Sequence, residues 1–171
     1  MFQEKIIGRY INIMQIDFPL RNLSKYFSDS ELRFIFGNMI NDPYFFEEIE
    51  NDNWSSHLVV KTITESKFVG YIRLVAVKDI VEIHGGGISN SFLDKVLLSE
   101  AWLLMIKWCF KYFQVNSVYS SCMLENKKAY KFITGTGFQE IFRDHSANRI
   151  NFILTIDAYQ TNNKFRFIGY D

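Results

Sequence analysis

The stretch "VEIHGGGISN", Val81 to Asn90, holds the densest candidate chemistry in the chain. Glu82 and His84 stand two apart in a β-rich run, so an extended backbone turns both side chains to one face. A carboxylate beside an imidazole can act as a general base with its orienting partner; the same pair can equally be a cross-strand polar contact or a rim feature. Gly85, Gly86 and Gly87 follow directly. Glycines at a strand end allow a bulge and a close approach of a bound molecule to the backbone, whose N–H groups then reach a developing oxyanion; a plain bulge is the structural alternative.

Other chemistries lack their partners. "HGGG" also supplies oxyanion donors in lipases and esterases, but that reaction needs a GxSxG elbow, and the glycines are followed only by "GISNS". Gly135-Thr136-Gly137 follows a helical pattern and misses the third glycine of a dinucleotide fingerprint. Cys109 and Cys122 have neither a CxxC partner nor a His at ligand spacing, which predicts reduced, buried thiols and no metal site.

Composition bounds the rest. A chain of 171 residues, 48% apolar and 17% aromatic with two prolines, predicts one globular domain over 1–171. Nineteen basic against nineteen acidic residues leave no bulk charge for nucleic acid or an anionic membrane. The longest strictly apolar run, Ala101 to Ile106, is too short to span a bilayer, and a cytoplasmic location is expected.

The elements that must position Glu82 and His84 follow from periodicity. "RYINIMQI" (Arg9 to Ile16) reads as a first strand, and Asp17 before Phe18-Pro19 as the cap of a short helix to about Phe27. Ser28 to Glu31 form a capping box ahead of the stripe Leu32, Ile35, Phe36, Met39 and Ile40. Asn41 to Trp54, with Pro43 and the acids Glu47, Glu48, Glu50 and Asp52, is expected to be an irregular, solvated acidic loop. "HLVVKTIT", "FVGYIRLVAV" and "IVEIHGG" are joined by "ESK" and "KD", which predicts an antiparallel meander. A helix over Lys95 to Tyr112 follows, with Leu98, Ala101, Met105, Trp108 and Tyr112 on its buried stripe. "VNSVYSSCML" is a strand parallel to the one before that helix, "NKKAYKFI" a short helix closed by Gly135 and Gly137, and "FQEIFRDH" and "RINFILTIDAY" a closing strand pair. The fold class is α/β (α+β): a mixed, mostly antiparallel sheet of about seven strands with helices on both faces.

This order, read with "NKKAYKFITGTGF", resembles the GNAT superfamily of N-acetyltransferases over nearly the whole chain. Asn126, Ala129, Phe132, Gly137 and Phe138 reproduce that family's spacing. "SEAWLLMIKWCF" looks like the long helix of the branch that acetylates the N-termini of ribosomal proteins, and "FVGYIRL" resembles the family's third strand. The resemblance implies a single GNAT-like domain whose fourth and fifth strands splay apart around the pantetheine arm of acetyl-CoA. It implies direct transfer of acetyl to a primary amine, with no metal and no acyl-enzyme. The amine could belong to a small molecule, a sugar or a protein N-terminus, and a homodimer is left open.

On that reading His84 is the base, Glu82 orients it or replaces it, Gly86 lies against the donor, and the N–H groups of Gly87 and Ile88 meet the pantetheine and oxyanion. Backbone N–H groups at the start of the long helix, at Lys95, Val96, Leu97 and Leu98, are expected to meet the diphosphate, with Lys95 adding charge. The family's Arg or Gln, Gly, and Gly or Ala of that turn are replaced by Leu93, Val96 and Leu98. Ile133 stands where many members carry a tyrosine that protonates the departing thiolate. Tyr130, one turn earlier, is the candidate to face the cofactor, with helix packing as its alternative. Asn126 caps its helix or bonds the pantetheine, and Lys127, Lys128 and Lys131 either meet phosphates or are solvated. The alternative to the enzyme is a non-catalytic GNAT-fold protein that serves as a binding module.

Overall fold

Alternation of apolar and polar residues decides most of the sheet, and the computed structural model describes it over residues 5–16, 20–25, 28–36, 41, 44–87 and 92–166. The strands are β1 (Ile6–Ile7), β2 (Ile11–Gln15), β3 (Ser55–Thr62), β4 (Phe68–Val77), β5 (Ile80–Gly87), β6 (Ser117–Met123), β7 (Gln139–Asp144) and β8 (Arg149–Thr155). The helices are α1 (Asp29–Phe36), α2 (Phe45–Glu50), α3 (Phe92–Phe113), α4 (Lys127–Gly135), α5 (Ile156–Thr161) and α6 (Asn163–Arg166), with a 3-10 turn at Leu20–Lys25. The strands form one mixed sheet in the order β1-β2-β3-β4-β5-β6-β8-β7. That is eight strands where about seven were expected. The addition is β1, which pairs Ile6 with Ile13 and Ile7 with Asn12. The strands counted fourth and fifth from the sequence are therefore β5 and β6.

The chain divides into two compact units, 1–74 with 85–102, and 75–84 with 103–171. In the first unit β2 lies antiparallel to β3, Ile13 opposite Val60, and Ile11, Ile13, Leu58 and Val60 are fully buried. The acidic segment departs from the expected loop. Residues 45–50 form α2, with Glu47 and Glu48 in its first turn, where carboxylates favour the helix dipole, and Asn51 N–H closes it on the Glu47 carbonyl. Asp52 is bonded rather than merely solvated: it accepts from Arg73 Nη2 at 2.6 Å, Ser55 Oγ at 2.7 Å and Trp54 N at 3.0 Å. The Ser55 hydrogen bond, ahead of those from Trp54 and Arg73, holds its carboxyl below the usual range. The expected cap at Asp17 and the stripe residues Met39 and Ile40 lie outside the described residues.

In the second unit β8 alternates cleanly. Ile150, Phe152 and Leu154 are buried, while Arg149, Asn151 and Ile153 on the other face are half-buried. β8 pairs antiparallel with both β6 and β7, and the edge strand β7 carries a bulge between Glu140 and Phe142. The last strand is shorter than expected, because Thr155 accepts from Ala158 N–H and so starts α5 over the "IDAY" residues.

α3 also differs from its expected face and start. Ala101 and Met105 are buried as predicted, but Leu98 and Trp108 are half-buried and Tyr112 is exposed. The buried side chains are instead Leu97, Trp102, Leu104, Ile106, Cys109 and Phe110, because the helix is apolar nearly all round and has no narrow stripe. Tyr112 stacks on Trp108, one turn back, with ring centroids 4.5 Å apart.

Gly137 closes α4 at φ +104°, and a Cβ there would lie 2.5 Å from Asn162 Nδ2, which donates to the Thr136 carbonyl. Gly137→Ala is expected to cost about 1–2 kcal/mol and lower Tm by roughly 3–8 °C. An unchanged melting curve would contradict this account of the α4 terminus.

Candidate functional site

The pairing of β5 with β6 explains why Glu82 and His84 become available. The two strands run parallel through Val81↔Val118 and Glu82↔Tyr119. At Ile83 a side chain takes over from the ladder, since the buried Ser120 hydroxyl donates to the Ile83 carbonyl at 2.8 Å. Val81 and Ile83 are fully buried, so period-two alternation turns Glu82 and His84, each about one-quarter exposed, to the other face.

On that face the structure assembles four side chains from three strands. His84 Nε2 lies 3.1 Å from Glu82 Oε1. Arg149 of β8 bridges the same carboxylate and Ser121 of β6: Nη2 donates to Glu82 Oε1 at 3.3 Å, and Nε donates to Ser121 Oγ at 2.7 Å. Ser121 Oγ in turn sits 3.5 Å from His84 Nδ1. With its proton on Nε2, His84 donates to Glu82, which Arg149 also holds, and the imidazole lone pair then lies on Nδ1. Ser121 accepts from Arg149 and keeps its own O–H proton to offer to Nδ1. His84 is thereby oriented with the Nδ1 lone pair toward the Ser121 hydroxyl.

Glu82 and His84 are brought together as the sequence led one to expect; Ser121 and Arg149 were missed. Their separations from the partners, 37 residues for Ser121–His84 and 67 for Arg149–Glu82, hide them from local patterns. Once the register sets Glu82 opposite Tyr119, alternation puts Tyr119 and Ser121 on the face of Glu82.

The glycines have different surroundings. A Cβ on Gly85 would stand 3.1 Å from both Trp102 Cζ3 and the Tyr71 carbonyl, so close packing within the first unit is enough to select glycine there. Gly86 is half-buried, and Ile88 lies outside the described residues. Asn126 is the N-cap of α4, its Oδ1 accepting from Ala129 N–H at 3.0 Å. Tyr130 packs edge-on against Phe152 at 5.6 Å, with the Arg143 guanidinium 6.0 Å from its ring centre. Ile133 is buried, and Lys127, Lys128 and Lys131 are exposed.

Burial pushes the Cys122 thiol up, and far more so that of the fully buried Cys109, so both remain protonated and poorly nucleophilic near neutrality. Cys109 is the buried thiol expected, and Cys122 is half-buried. In the first unit the Tyr71 hydroxyl, kept protonated by burial, shares a hydrogen bond with His57 Nδ1 at 2.6 Å. Among the described residues, no three or more His, Cys, Asp or Glu side chains are grouped so as to hold a metal ion, and no helix is long and apolar enough to cross a membrane.

The segment expected to hold a diphosphate is helical. α3 begins at Phe92, so the amides of Lys95, Val96, Leu97 and Leu98 donate within the helix, and the orphan donors are those of its first turn. Leu97 is buried, while Leu93 and Val96 are 63% and 47% exposed. Asp94 occupies that first turn with 4% of its surface exposed, and Lys67 Nζ lies 3.3 Å from its carboxylate. The described residues of that segment, from Phe92 onward, do not suit a diphosphate.

No protein-family model matches the sequence, and no curated protein matches it. Solved structures do match. The chain is similar to an acetyltransferase of the GNAT family from Bacillus anthracis, 18% identical, with TM-score 0.66 over 89% of this chain and 98% of that one. It is similar to a GCN5-related N-acetyltransferase from Brucella melitensis, 13% identical, TM-score 0.68, over 94% and 82% of the two chains. It is similar also to a ribosomal-protein-S5-alanine acetyltransferase from Vibrio fischeri, 13% identical, TM-score 0.63, over 90% and 97%. At these identities the likeness is one of architecture, and what it establishes is that the chain has the fold of the GNAT acetyltransferases.

Proposed function

We propose that the protein is an N-acyltransferase of residues 1–171 as a single catalytic domain, moving an acetyl group from acetyl-CoA to a primary amine by direct transfer. The ribosomal-protein N-terminal branch is the nearest in flavour, and the cytoplasm is the proposed location. The observation that carries the reading is the oriented Glu82–His84 pair where β5 leaves β6.

Attack requires a neutral amine, whereas an alkyl ammonium has a reference pKa of about 10.4. His84 Nδ1 accepts the amine proton, directly or through the Ser121 hydroxyl, as nitrogen bonds to the thioester carbonyl carbon. Glu82 stabilises the imidazolium that forms, and Arg149 holds Glu82 in place. The N–H groups of Gly86 and Gly87 are the proposed oxyanion donors. The carbon–sulfur bond then breaks, the thiolate leaves, and it takes a proton from solvent or from His84. With both cysteines held protonated, direct transfer is favoured over an acyl-enzyme.

Glu82→Gln tests the assigned roles. The amide cannot stabilise the imidazolium and offers His84 a donor, so kcat is expected to fall by about 10²-fold or more with the thioester KM unchanged. Unaltered kcat would remove Glu82 from the mechanism. One observation favours a second reading, a binding module without turnover: the buried Asp94 in the first turn of α3.

A further inference from the structure

The first turn of α3 already carries its own anion. Carboxylates are stabilised at a helix N-terminus by the dipole and the unpaired amides, and Asp94 takes that place within the chain's own interior. Its charge is answered by Lys67 Nζ at 3.3 Å, so that cation is committed as well. From Lys95 onward the amides belong to the helix. The side chains that the turn presents outward include the apolar Leu93 and Val96 beside the exposed Lys95. An incoming diphosphate would meet a buried like charge and two branched apolar side chains, with the amides from Lys95 onward already committed to the helix.

We infer that the donor is recognised through its acyl-pantetheine arm and not through its nucleotide, so that acyl-pantetheine thioesters serve whether or not a nucleotide diphosphate follows. This rests on the acyltransferase reading and narrows its donor class. The neutral arm offers amides and a thioester to the backbone of β5, and it asks nothing of the α3 terminus.

Calorimetric titration of the full chain with acetyl-CoA, acetyl-pantetheine and 3′,5′-ADP tests the inference. The two thioesters are expected to bind with Kd values within about threefold of one another, and 3′,5′-ADP neither to bind at millimolar concentration nor to displace them. Acetyl-CoA binding more than about 30-fold tighter than acetyl-pantetheine, or displacement by 3′,5′-ADP, would overturn the inference and leave the acyltransferase reading standing. Failure of both thioesters to bind would overturn the two together. Asp94→Asn supplies a further check: it should tighten acetyl-CoA several-fold, roughly to tenfold, without changing acetyl-pantetheine, and an equal change in both would contradict the role given to Asp94.

Discussion

His84→Ala is expected to lower kcat by about 10²–10⁴-fold while the affinity for the thioester donor stays within about twofold. The split follows from where the imidazole sits. His84 projects from the face of β5 shared with Glu82, Ser121 and Arg149, and its Nδ1, beside the Ser121 hydroxyl, has an amine proton to take only once an amine is bound. The donor's contacts are proposed to be with the backbone, which the substitution leaves in place. Loss of transfer together with loss of donor binding would instead mean that the side chain shapes the cleft. An unchanged rate across the pH range would eliminate the residue as base.

Phe152→Ala is expected to destabilise the fold by about 3–5 kcal/mol and to lower Tm on the order of 10 °C. Phe152 is fully buried and central on β8, flanked by the equally buried Ile150 and Leu154, with Tyr130 edge-on at 5.6 Å. Removing the ring leaves a cavity that the antiparallel neighbours β6 and β7 cannot close without shifting register. The register of β8 on β6 is also what brings Arg149 to Ser121 and Glu82 on the opposite face, so activity should fall along with stability. Phe142→Ala on the edge strand is the control: its side chain is 54% exposed, and a change within about 0.5 kcal/mol is expected. Equal losses from the two substitutions would show that the core does not lie where the burial pattern of β8 puts it.

Strands were legible in the sequence wherever burial follows a period of two and turns are short. β4 matches its expected span at both ends, and the parallel relation of β6 to β5 followed from the intervening helix. Two helices were read less well, for different physical reasons. α2 carries so many acids between Pro43 and Asp52 that local composition argues for a solvated loop, yet carboxylates in a first turn stabilise a short helix. α3 was expected to open at Lys95, where the helical period was read to begin, whereas the helix starts at Phe92, because it is apolar nearly all round and its period marks no sharp beginning.

The site divides along the same line. Glu82 and His84 are neighbours on one strand, so alternation alone predicts that they meet. Ser121 and Arg149 reach them only through the registers of two further strand pairs, which composition does not encode. Asn126 is a simpler case, since an N-cap was one of two expected roles and is the one its side chain fills, on Ala129 N–H.

The central claim is amine-dependent acyl transfer at His84, and the most direct measurement follows free thiol released from acetyl-CoA with and without a set of primary amines that includes a ribosomal-protein N-terminal peptide. The account predicts thiol release that rises with at least one amine, equimolar with acylated amine by mass, and that falls to background in His84→Ala. Thiol release that ignores the amine, or an acylation rate that His84→Ala leaves intact, would contradict it.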